Sequence, residues 1–400
     1  MLIFWVSEYV SPGNQVMLSV QLWPRCTCAI TERKFKSMRT FHATMISKNT
    51  EMKDEYGNMD DSGKTFSVQS FPLENGYILK NAKIRYNSYG KLNAKKDNVM
   101  VVCHALTGNA SLHTWWGDLL GKGKPFDTSK YFIVCANVLG SCYGSSGPNS
   151  INPYSGKPYG IKFPTVTIRD TVMIQMNMLK YDIGASSVAC VIGGSMGGMQ
   201  ALEWAYLGED YVRSAIMIGC GSTHSAWQIS ISEAQRQAIY ADEHWNGGFI
   251  NPQKPVKRGL SVARQFAMIT YRTSKGYQTK FGRKTNEKSG LWEARCYLEY
   301  QGEKFLDRFD AVTYVKLTEQ MDTHDIGRGR GGVFKALNKI ICPTLIMGID
   351  SDVLYPLYEQ EELVNMIPTS RFKLIYSING HDGFLLEQDQ IIESIQSFLS

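Results

Sequence analysis

The sequence predicts an α/β fold, a mostly parallel sheet covered by helices and interrupted late in the chain by a helical insertion. Three observations lead there. Short, near-continuously apolar runs alternate with helix-compatible stretches between residues 66 and 220. One such run enters the glycine-rich turn Gly193-Gly194-Ser195-Met196-Gly197 and continues into a helix. Strand signals then return near residue 343, after a long helix-like stretch. Unbroken apolar runs suit strands buried on both faces, and their alternation with helices is the pattern of a doubly wound sheet.

In chain order, residues 1–65 lack sustained periodicity, and Lys34–Lys48 is basic, contains Ser and Thr, and holds no acid. That composition predicts a disordered or loosely docked tail, with an organelle-targeting segment as the alternative, above all if synthesis begins at Met38. Candidate strands follow at Asn98–His104, Tyr131–Val138, Val188–Ile192 and Val212–Ile218, with a crossover helix at Val166–Lys180. From Ser222 to Arg330 the chain is helix-like and aromatic, and residues 254–295 carry eleven Lys/Arg against two Glu. Strands at Pro343–Gly348 and Phe372–Tyr376 and a helical tail, Glu387–Leu399, complete it. The predicted organisation is a tail (1–65), a catalytic core (66–221 and 335–400) and a helical lid (222–334).

Composition narrows the function classes. Lys plus Arg exceed Asp plus Glu by six, too mild an excess to indicate a nucleic-acid partner. No apolar run approaches the roughly 20 residues that span a bilayer, so no membrane association is expected. Of nine cysteines, Cys103, Cys135 and Cys190 sit inside apolar strand-like runs, which suits reduced thiols in an intracellular protein. A cytoplasmic location follows, or a mitochondrial one if the first segment is a targeting peptide. Cys26 and Cys28 form a lone C-x-C, and no metal is expected there.

The segment Val188–Leu207 carries the chemistry. G-x-S-x-G between a strand and a helix is a nucleophile elbow, a turn so tight that its small neighbours let strand and helix pass closely. Gly193, Gly197 and Gly198 supply them, and Ser195 Oγ is presented above a helix N-terminus. No Gly-Lys-Ser/Thr follows, which disfavours a phosphate loop.

A nucleophilic serine needs a base, and the base an orienting acid. His381, in Asn379-Gly380-His381-Asp382-Gly383, follows a strand and comes after Ser195 and the acid loop, the Ser–Asp–His order of an α/β-hydrolase fold. His324, the nearest rival, precedes the acid loop. Asp350 and Asp352 compete for the acid, and pattern alone favours Asp352 without deciding. The oxyanion hole is expected from the N–H of Met196 and that of Leu106, in the turn after Asn98–His104.

The segments HALTGNASLHTWWGDLLG, GSCYGSSGP, KPYGIKFPTVTIRD, VIGGSMGGMQALEWA, HSAWQISISEAQRQAIY, ARQFAMITYRT, DTHDIGRGR and NGHDGFLLE together resemble the homoserine O-acetyltransferase family over about residues 68 to 400, most of all its fungal-type members. The resemblance implies ping-pong chemistry: acetyl-CoA, a co-substrate rather than a bound cofactor, acetylates Ser195, and L-homoserine takes the acetyl group with His381 as base. It also implies Asp352 as the acid, Arg264, Tyr271 and Asp382 as the residues that hold the amino acid, and a homodimer joined through the helical insertion. Residues Ala105–Trp116 hold no Lys or Arg, only His113, which favours an acetyl over a succinyl donor. The basic excess in 254–295 is a candidate contact for CoA phosphates, or simply a solvated face. Serine as acceptor, plain hydrolysis, and a binding protein without activity are the competing readings.

Overall fold

The computed structural model describes residues 63–249 and 251–400. The predicted tail lies outside the described residues except at its end. There the boundary needs correcting, because Lys64 and Thr65 already belong to a strand.

Two strands that the sequence reading did not name come first, β1 (Lys64–Pro72) and β2 (Ile78–Tyr89), paired antiparallel with Phe71 opposite Leu79. β3 (Val99–Cys103) leads into a one-turn helix, α1 (Leu112–Trp115), then β4 (Phe132–Ala136). The crossover α2 (Ile168–Asn177) starts at a capping box between Thr167 and Asp170, then widens into a π-helical turn over Met178–Ile183 that ends at Gly184, φ 74°. Next come β5 (Val188–Gly194), α3 (Met196–Leu207) and β6 (Ala215–Ile218).

Five helices then follow: α4 (Ala226–Tyr240), α5 (Arg258–Thr270), α6 (Ser274–Lys280), α7 (Glu293–Leu306) and α8 (Ala311–Asp322). A short α9 (Val333–Asn338) leads back to β7 (Thr344–Ile349), α10 (Leu357–Met366), β8 (Ser370–Ile375), α11 (Gly383–Leu386) and α12 (Gln388–Leu399).

The strands form one sheet in the order β1-β2-β4-β3-β5-β6-β7-β8, parallel from β4 to β8 and antiparallel only at the β1–β2 and β2–β4 pairs. Side chains of β3 alternate between its faces: Val99, Val101 and Cys103 enter one apolar cluster, Met100 and Val102 the other. β3, β6 and β7 are buried along their whole length.

A third cluster joins Leu106, Met196 and Met199, beside the serine turn, to Ile231, Leu260, Phe305 and Tyr314 of α4, α5, α7 and α8. The inserted helices therefore pack over the C-terminal ends of the strands, where open α/β sheets bind ligands. Behind α3, the buried Glu203 pairs with Arg169 (3.0 Å) and Arg330 (2.7 Å). Those pairs absorb the arginine-rich DTHDIGRGR segment into structure. No helix among the described residues is long and apolar enough to cross a membrane.

Candidate active site

Ser195 sits at φ 58°, ψ −128°, a backbone region that residues with a side chain seldom occupy. Close packing enforces that strain. A Cβ on Gly197 would lie 2.2 Å from the Cys103 carbonyl oxygen at the end of β3, and one on Gly193 would meet the backbone of Gly197. Helix α3 thus passes against β3 and β5 at distances only glycine permits. The Ser195 N–H donates to the Ile218 carbonyl (2.9 Å), which ties the turn to β6.

His381 lies in a 3-10 turn after β8 and is buried. Its Nδ1–H donates to Asp352 Oδ2 at 2.6 Å, and Asp352 Oδ1 accepts the N–H groups of Leu354 (2.8 Å) and Tyr355 (2.9 Å). Asp350 turns elsewhere, accepting the Ser377 N–H at 2.9 Å. Of the two aspartates that sequence pattern left open, it is Asp352 that meets His381. His381 Nε2 is buried and has no hydrogen-bond partner among the described residues, so it is the nitrogen left for the serine. Phe384 links the two: its ring packs 5.5 Å from the His381 ring, and Gly194, next to the serine, must lack a Cβ to clear it.

Electrostatics set the base. Burial pushes the His381 imidazolium pKa down, but the Asp352 carboxylate, by charge and hydrogen bond, and the Asp382 charge outweigh it, leaving the pKa above 6.5. A base must be neutral, so activity falls as pH drops through that value. In a pH profile of kcat/KM for acetyl-CoA, the acid limb is expected to have unit slope and a midpoint above 6.5. A midpoint below 6.5 would assign the limb to another group.

Leu106 and Met196, the two expected oxyanion donors, share one apolar cluster. The loop carrying Leu106 is shaped by residues that sequence reasoning missed. His104 Nδ1 bonds the Ala105 carbonyl (2.8 Å) while its Nε2 accepts the Val138 N–H (3.2 Å). Burial holds its pKa down at about 4, so the ring stays neutral and fixed as one tautomer. Arg308, between α7 and α8, donates to the Thr107 carbonyl (2.8 Å) and the Tyr143 hydroxyl (3.1 Å). The loop's own residues 105–116 hold no Lys or Arg, and the cation that does reach it comes from 201 residues away.

The three residues expected to hold an amino acid gather around His381. Arg264, on α5, is 1% exposed, with its guanidinium 4.9 Å over the Phe305 ring and 5.8 Å from the Tyr271 ring. The Tyr271 ring centroid lies 6.0 Å from that of His381, and its carbonyl accepts the Asp382 N–H at 3.2 Å. His324 stands apart, bonded to the Gly221 carbonyl at 3.0 Å and pushed toward neutrality by burial. It has a structural part.

Comparison with known proteins agrees with this geometry. Residues 98–388 match the family model of the alpha/beta hydrolase fold. The chain is 50% identical over 326 residues to a homoserine O-acetyltransferase of Chloroherpeton thalassium, covering 82% of this chain and 86% of that one. A homoserine O-acetyltransferase structure from Bacillus anthracis superposes with a TM-score of 0.78 at 25% identity, over 84% of this chain and 97% of that one. Esterase E22 superposes equally well, at 0.78 and 25% identity over 84% and 99%, so the fold by itself does not choose between transfer and hydrolysis. Sequence identity makes the choice that shape leaves open: the chain belongs to the homoserine O-acetyltransferase family.

Proposed function

We propose that the protein transfers an acetyl group from acetyl-CoA to the side-chain hydroxyl of L-homoserine through an acetyl-Ser195 intermediate. Ser195 Oγ attacks the thioester carbonyl as its proton passes to His381 Nε2, and the oxyanion rests on the N–H groups of Met196 and Leu106. Collapse expels CoA thiolate, which takes the proton. The homoserine hydroxyl then gives its proton to Nε2 and attacks the acetyl-serine, and the second collapse returns Ser195.

The observation that carries this reading is the pair of opposite charges beside the base. Buried Arg264 suits a bidentate grip on an α-carboxylate and buried Asp382 suits an α-ammonium, so a zwitterionic amino acid fits where a simple ester would not need both. A fungal-type affinity, a homodimer and a cytoplasmic location belong to the same proposal. Their support is the family resemblance and the intracellular pattern of cysteines; the relatives compared above are bacterial.

The test is CoA release by purified protein from acetyl-CoA or succinyl-CoA, with L-homoserine, L-serine or no acceptor. Turnover with acetyl-CoA and homoserine is expected. Faster turnover with serine would move the acceptor, turnover without acceptor would mean a thioesterase, and preference for succinyl-CoA would give Arg308 a role toward the donor.

Arg264→Lys is expected to raise the KM for homoserine about 10- to 100-fold, the range for losing charge-assisted hydrogen bonds, while the initial burst of CoA persists. Loss of the burst would show that Arg264 serves the first half-reaction instead.

A further inference from the structure

The segment Tyr271–Thr273, at the elbow between α5 and α6, grips the catalytic-histidine loop at several points. Tyr271 O accepts the Asp382 N–H (3.2 Å), and Thr273 Oγ1 donates to the Ile378 carbonyl (2.5 Å). Gly380, at φ 64°, passes so near that a Cβ would stand 3.0 Å from Tyr271 O. Between these contacts lies an ion pair, Arg272 Nε to Asp382 Oδ2 at 2.8 Å, with side chains 10% and 2% exposed. Arg272 Nη1 also reaches Asn379 Oδ1 at 3.4 Å.

A carboxylate this deeply buried keeps its charge at low cost only when it is paired and oriented. A carboxylate offers about four lone-pair sites, so pairing with a guanidinium is compatible with receiving a substrate ammonium. Arg272 approaches from the side of α6 and the ring of Tyr277, with which it lines a cavity of about 210 Å³ together with Phe281, Tyr297 and Asn379. Helix α5 carries Arg264, the carboxylate clamp of the acyl-transfer reading, in its middle, and the cation beside Asp382 follows eight residues later, just past the helix end.

We propose that Arg272 is a positioning residue for the second half-reaction: it holds the Asp382 carboxylate in the orientation that receives the α-ammonium of the acceptor. This rests on the acyl-transfer reading above and adds a residue to it. Arg272 acts through Asp382 and touches neither the thioester nor the attacking hydroxyl.

The test is a double-variant cycle in the full-length protein, with Arg272→Gln, Asp382→Asn and both together. The burst of CoA from acetyl-CoA reads the first half-reaction, and kcat/KM for homoserine reads the second. Each single variant is expected to lose about 10- to 100-fold in kcat/KM for homoserine, the usual effect of disturbing one charged pair, against a far smaller change in the burst read at a pH above the acid limb, where His381 is neutral with or without the Asp382 charge. The double variant is expected within about threefold of Asp382→Asn, because residues acting as one unit do not add. Arg272→Lys, which keeps the charge and the fold, is expected to recover part of the loss.

Multiplicative losses in the double variant, or loss of the burst in Arg272→Lys, would overturn the proposal. A wild-type protein with no burst, or one whose acetyl-enzyme homoserine does not discharge, would instead overturn the acyl-transfer reading itself.

Discussion

Ser195→Ala is expected to abolish the burst of CoA from acetyl-CoA and to lower acyl transfer about a millionfold, near 8 kcal/mol of barrier. The size follows from the absence of a substitute nearby. Cys220 packs against the same turn, with its Sγ 2.6 Å from where a Cβ on Gly198 would stand, but burial holds that thiol far above its ordinary pKa and therefore protonated. Cys103, at the end of β3, is buried and shifted in the same direction. Retention of more than about 1% of the burst would show that another nucleophile takes the acetyl group. Stability gives a second readout. Alanine suffers at φ 58° as serine does, so Ser195→Ala should leave the urea midpoint nearly unchanged. Ser195→Gly, equally inactive, relieves the backbone and should gain about 1 kcal/mol after the entropy of a freer unfolded chain is subtracted. A destabilised glycine variant would mean that the turn is not strained.

The legible parts of this fold were those whose signal is local. β3, β4, β5, β6 and β7 show as apolar runs because both faces of each are covered, and the serine turn shows because Gly193 and Gly197 must stand where backbones touch and Gly198 where the Cys220 side chain packs. β1 and β2 escaped because their residues alternate between burial and solvent at the sheet edge; in β1 only Phe71 is fully buried. That His381 would meet a carboxylate of the loop after β7 was legible from loop order, while which carboxylate was not, since Asp350 and Asp352 differ only in which direction each turns. His104, Arg272 and Arg308 carried no sequence signal of their own. Each works on a backbone carbonyl or a carboxylate whose position only the folded chain fixes: Arg308 reaches Thr107 across 201 residues, and Arg272 reaches Asp382 from the far side of the insertion. Spacing rules address neighbours along one helix or strand, whereas Thr107 for Arg308, Asp382 for Arg272 and the Val138 N–H for His104 are neighbours only across elements.

Asp352→Asn is expected to lower kcat about ten-thousandfold with the fold intact, and the reason lies in the other carboxylate oxygen. Oδ1 is already fixed by two backbone donors, Leu354 and Tyr355 N–H. An asparagine there must keep its carbonyl oxygen toward those donors, because turning its amide to them would set N–H against N–H in a buried site. Its Nδ2–H₂ then faces His381 Nδ1, which has to accept instead of donate. The imidazole proton moves to Nε2, the nitrogen that must take the proton of Ser195, and the base is blocked by its own tautomer. Asp350→Asn is the control: its amide oxygen still accepts the Ser377 N–H, so kcat should stay within about threefold. Asp352→Ala should lose activity as well, but it also strands the two backbone donors and should lower stability by about 1–3 kcal/mol, which Asp352→Asn should not. Equal loss of activity in Asp350→Asn and Asp352→Asn would mean that the loop as a whole, rather than one carboxylate, orients the histidine.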